Sequence, residues 1–103
     1  MKAPKIHTAY FNYGFEIEMR ESVARNCSHS GPCDDDVESA RLLPEVQAEL
    51  SKLDPESLRK ELAEYGCWTD DELSNHDANL TKILWIAAGQ IMDELHEASK
   101  GKE

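Results

Sequence analysis

The sequence predicts an all-α or mainly α fold: one small helical domain spanning residues 1–103, with a long C-terminal helix, room for one short strand near the N-terminus, and assembly as a homodimer. Three observations carry this. Apolar residues recur at three-and-four spacing from Leu73 to Leu95, the pattern of one helix face. Asp54-Pro55 and Gly66 bracket a further helix with a start and a stop. A chain of 103 residues is too short for two cores of ordinary size.

Taken in order, Phe11, Tyr13, Phe15, Ile17 and Met19 alternate with mostly polar residues, which predicts an extended segment over 10–17, and helical spacing resumes from about Met19 to Cys27. A helix started near Phe15 is the competing reading, with Gly14 as the break. Ser28 to Pro32 reads as a turn. Asp34, Asp35 and Asp36 then place carboxylates in the first turn of a helix from about Cys33 to Leu42, where they face the positive end of its dipole. Pro44 interrupts this helix or opens the next, in which Val46, Leu50 and Leu53 form a short apolar face. Asp54 caps a helix whose Leu58, Leu62 and Tyr65 share a face, and Gly66 supplies its left-handed stop. Thr69 and Glu72 have capping-box spacing, so the last helix is expected to start there and run to about Ala98.

That last helix carries more apolar residues than one face holds. With Leu84 at zero and about 100° per residue, Trp85 and Met92 fall near 80–100°, Ile83 near 260° and Ile86 near 200°, opposite the core. A second copy or another protein is the expected cover. Ala87, Ala88 and Gly89 are small enough to admit a close helix neighbour.

Composition narrows the function. Hydrophobic residues make up 40% and charged residues 31%, a balance ordinary for a folded domain and far from the low-hydrophobicity, high-charge composition of a disordered chain. Four Lys/Arg face three Asp/Glu through Ser30, whereas seven face eighteen from Gly31 onward, so the net charge of −10 is concentrated in the later part. A phosphate backbone would be repelled, which argues against direct nucleic-acid binding and toward a basic protein partner. The longest apolar run, Ile83 to Ala88, is far short of a membrane span, and the first residues do not read as a signal peptide. Three cysteines without a secretory signal read as free thiols, so a cytoplasmic location is expected.

Motifs for chemistry are weak. Cys27-x-His29-x-x-x-Cys33 with Cys67 lacks the paired two-residue knuckles of structural zinc sites. Glu72 with His76 and Asp93 with His96 read as surface pairs, not as the repeated Glu-x-x-His of a di-metal bundle. With no phosphate loop or nucleophile elbow in view, the expectation is a non-enzymatic protein without cofactor or metal. Tyr and Trp are common interface anchors. The candidate protein-binding or dimer-interface residues are therefore Tyr10, Phe11, Tyr13, Phe15, Trp68, Ile83, Trp85, Ile86 and Met92.

The run from Leu58 to Leu73, with Gly66-Cys67-Trp68-Thr69-Asp70-Asp71-Glu72 at its centre, and the stretch from Asn79-Leu80 to Gly89-Gln90 resemble a group of small bacterial and phage-carried helical proteins. Within it they are similar to the QslA-type quorum-sensing anti-activators of Pseudomonas. Arg20 to Val23, Cys27-Ser28 and Asp34 to Val37 match more loosely. The resemblance implies a helical homodimer that binds the ligand-binding domain of a LuxR-type transcription regulator such as LasR, blocks its dimerisation and keeps it off promoter DNA. The alternative is a phage-type inhibitor of a bacterial nuclease, an anti-CRISPR-like protein whose acidic face mimics DNA.

Overall fold

The computed structural model describes residues 5–27 and 34–100. It is mainly helical, as expected, with a small antiparallel hairpin: β1 (Ile6–Tyr10), β2 (Glu16–Arg20), α1 (Glu21–Cys27), α2 (Asp34–Arg41), α3 (Pro44–Ser51), α4 (Pro55–Glu64), a 3-10 turn (Glu72–Ser74) and α5 (His76–Lys100). The turn expected over Ser28 to Pro32 lies outside the described residues.

The hairpin corrects the single extended segment expected over 10–17. Gly14 sits at φ +86°, a left-handed conformation that glycine adopts without a Cβ clash, so the chain reverses between Phe11 and Phe15. The Phe11 amide donates to the Phe15 carbonyl at 3.0 Å and closes the turn. The alternating apolar residues thus belong to two strands. Ala9 faces Ile17 and His7 faces Met19, with Ala9, Ile17 and Met19 buried, while the Thr8–Glu18 and Tyr10–Glu16 pairs lie on the other face. Met19 and Arg20 stay in β2, and α1 begins at Glu21. The Glu21 carboxylate meets the His7 ring at 3.2 Å, which holds it below the usual carboxylate range.

The proline-started helices form, though α3 ends at Ser51 and leaves Leu53, expected on its face, buried in the connection to α4. Pro44 occupies the first turn of α3, where the missing N–H is not needed. Asp54 caps α4 by accepting from the Ser57 amide at 3.0 Å, and Gly66 ends it at φ +70°. Tyr65, assigned by spacing to the buried face of α4, is 42% exposed, because it follows the last helical residue as the C-cap.

The capping box forms in full. The Thr69 amide donates to Glu72 at 2.8 Å and the Glu72 amide donates to the Thr69 hydroxyl at 3.2 Å. It starts only the 3-10 turn, however. Asn75 then adopts an extended conformation and caps a new start, its side chain accepting from the Ala78 amide at 3.2 Å, so α5 begins at His76 and not near Thr69.

α5 has 25 residues, about 37 Å at 1.5 Å per residue, and underlies the long axis of a molecule measuring 44 × 27 × 27 Å. α4, α1, β1 and α2 all pack on it. Ile83, Leu84, Ala87, Ala88 and Ile91 are fully buried. The outward face assigned to Ile86 and Ile83 is corrected here, since every residue from Ala78 to Met92 is buried or half-buried. The reason is the course of α4. Pro55 and Arg59 near its start share a cavity with His76 and Asn79, and Tyr65 at its end lies beside Gln90, so α4 runs alongside α5 in the same direction. It covers the flank that holds Ile83 and Gln90. Among the described residues no helix is long and apolar enough to cross a membrane.

Gly89 plays a different part from Ala87 and Ala88, because a methyl group placed on it would meet nothing within 4 Å. Gly89→Ala should therefore raise stability by about 0.5–1 kcal/mol through helix propensity alone. Chemical denaturation checks this, and a loss of stability would mean that the space over Gly89 is filled.

Candidate functional site

The tip of the hairpin docks on the end of α4 through a carboxylate that is itself buried. Glu61 is 1% exposed and accepts the Tyr13 amide at 3.1 Å. One turn on, Glu64 accepts the Tyr13 hydroxyl at 2.7 Å. Phe11 and Phe15 stack beneath the turn with ring centroids 4.8 Å apart, Phe11 buried and Phe15 half-buried against the core. The chain folds this way because Gly14 lets the turn close while Tyr13 projects from it toward α4.

This leaves Tyr13, 40% exposed, and Tyr65, 42% exposed, near the exposed Glu64, with Glu61 buried beside them. The Tyr13 phenol is pushed above its ordinary value, chiefly by its hydrogen bond to Glu64. The Tyr65 phenol is raised by burial and then by the charge of Glu61, against an opposing hydrogen bond with Gln90. Both hydroxyls therefore stay protonated at neutral pH and keep their donors. Among the described residues, the exposed Glu64 and Glu16 form no ion pair with Lys or Arg. Aromatic rings beside unpaired carboxylates form a surface that attracts Arg and Lys side chains.

The sequence-derived candidates divide. Tyr10, 70% exposed at the end of β1, and Tyr13 face outward, whereas Phe11 faces inward with Phe15 half-covered. Trp68 is half-buried against the core. Trp85 and Ile86 also pack on the core half-buried, and Met92 is half-buried, so these are not a free outer face. Ile83 has no exposed surface and is withdrawn as an interface residue. Tyr65, Glu61 and Glu64 were missed. The available signal was Glu61, an acid three residues after Leu58 and next to Leu62, on a stripe otherwise apolar.

Cys27 is buried, and burial first, then the nearby Asp36, pushes its thiol up to about 11. Cys67 is exposed, while His29 and Cys33 lie outside the described residues. Among the described residues, no three His, Cys, Asp or Glu side chains are grouped to hold a metal.

No family model, no curated protein and no solved structure matches the chain.

Glu61→Ala should remove the acceptor for Tyr13 and cost about 1–3 kcal/mol. Amide exchange should quicken at Tyr13 while α5 stays protected, whereas Glu61→Gln retains an acceptor and the slow exchange; unchanged exchange in the Ala variant would refute the docking. Alkylation with iodoacetamide at mildly alkaline pH should modify Cys67 readily and Cys27 only after unfolding, as peptide mass spectrometry would reveal.

Proposed function

We propose that this protein is a non-enzymatic inhibitor that works by binding another protein, with the surface of Tyr13 and Tyr65 as its contact. The single observation that carries this is the placement of the exposed Tyr13 and Tyr65 beside Glu64, an exposed carboxylate with no Lys or Arg partner among the described residues, on a chain of net charge −10. Tyr buries much area at little rotamer cost, and acids at the rim steer a basic partner and set its orientation.

The partner implied by the resemblance is a LuxR-type transcription regulator, bound through its ligand-binding domain so that its dimerisation and promoter binding are blocked. That assignment rests on the residues quoted for the resemblance. What supports it from the geometry is a surface suited to cover another protein's apolar and basic dimer face. The homodimer also implied would have Ile6 and Tyr10, on the outer face of the hairpin, as apolar surface for self-contact. The protein is proposed to act in the cytoplasm, where such a regulator works.

A gel shift with a purified LuxR-type regulator and its promoter tests the proposal: adding the protein should release the DNA and produce a complex on size exclusion. Tyr65→Ala should cost about 2 kcal/mol or more of binding, and Glu97→Ala little. Regulator that stays on DNA with no complex formed would refute this partner. Capture of a nuclease in a strongly salt-dependent manner, indifferent to the tyrosines, would favour acidic DNA mimicry.

A further inference from the structure

Among the described residues the most exposed aliphatic side chain, Leu42 at 72%, stands away from the tyrosine surface, at the corner between α2 and α3, with Leu43 beside it at 36%. Leu42 borders a cavity of 390 Å³ whose other apolar walls are Leu50 and Leu80, within the range of about 300–1,000 Å³ typical of ligand pockets. Its walls come from α2, α3 and the start of α5, so an incoming chain meets helix faces and no strand edge.

Charge decides what fits. Glu38 and Asp77 line the rim, and Glu38 forms no ion pair among the described residues. Arg41, the one cation among the lining residues, is largely buried and already engaged, pairing with Asp77 and donating to the Thr81 hydroxyl at 2.8 Å. Asp77 nevertheless remains 78% exposed. The groove is thus aliphatic at its floor and acidic at its lip. A second copy would bring the same carboxylates against themselves, on molecules that each carry −10.

We infer that this groove is a second docking site, which receives an amphipathic helical segment of another protein: an aliphatic or aromatic side chain fills the space between Leu42, Leu50 and Leu80, and a flanking Lys or Arg meets Glu38 and Asp77. Along α5, Leu80 and Gln90 are ten residues apart, about 15 Å, so this site and the tyrosine surface can be occupied together. The inference stands independently of the regulator as partner.

The probe is a fluorescein-labelled Leu/Lys amphipathic peptide, about 14 residues long so that it can form a helix, with a Leu/Glu peptide of the same pattern as control. Because a chain this acidic attracts any basic peptide, the variants are neutral in sign where the apolar contact is tested. The Leu/Lys peptide should saturate in anisotropy, with amide shifts concentrated in α2, α3 and the first turns of α5. Leu42→Ser, at an exposed position that leaves the core intact, should weaken it about tenfold. Glu38→Gln should weaken it less and reduce its salt dependence, and Tyr65→Ala should leave it unchanged. Equal binding of the Leu/Glu peptide, full affinity in Leu42→Ser, or shifts centred on Tyr13 and Tyr65 would each overturn the inference. So would a dimer in sedimentation that Leu42→Ser dissolves, because the occupant would then be a second copy.

Discussion

Everything in this molecule depends on covering α5. Ile83, Leu84 and Ile91 have no exposed surface, and burying each contributes about 1.5–3 kcal/mol. Their side chains point to several sides of the helix, so one packed neighbour cannot cover them. The chain answers with four: the hairpin through β1, then α1, α2 and α4. Ala87 and Ala88 keep those neighbours close, since larger side chains there would hold them off. The two pieces that reach farthest are tied down by polar groups. α2 is held to the start of α5 by Arg41, which meets Asp77 and Thr81, and the hairpin tip is held to α4 by Glu61 and Glu64.

Local signals were legible where the chemistry is confined to a few neighbouring residues. Asp54-Pro55, Pro44, Gly66 and the Thr69–Glu72 box all act within one turn, and each forms as its spacing predicts. Non-local arrangements were not legible. The alternation from Phe11 to Met19 looks the same whether it lies on one strand or is shared by two, and the deciding feature is the left-handed Gly14. Nor does an angular plot of α5 tell how much of the chain wraps it. Ile83 and Ile86 point away from Leu84, yet α4 returns along that flank, which buries Ile83 and half-covers Ile86.

The candidate site shows the same division. Tyr10 was visible as an aromatic that an extended segment turns away from Phe11, whereas Tyr13 shares the parity of Phe11 and Phe15 and faces out only because the chain reverses at Gly14. Tyr65 was hidden, because periodicity placed it inward and only its position as C-cap turns it out. Glu61 was hidden for the opposite reason. A carboxylate reads as a surface residue until the Tyr13 amide is brought to it by a turn 48 residues away. With that contact, the buried Glu61 becomes the device that brings the Tyr13 phenol onto Glu64 near the end of α4. The leucine groove between α2, α3 and α5 extends the same theme, with apolar surface framed by carboxylates at a second place on the molecule.

The rest of the structure stands on α5 being sheathed by its own chain. Amide hydrogen exchange across Ile83 to Ile91, followed as the protein is diluted, tests it directly. Slow exchange that is independent of concentration is the predicted result, because the covering elements travel with the helix. Protection that falls on dilution would show that a second molecule supplies the cover, and the placement of the exposed surfaces would have to be revised with it.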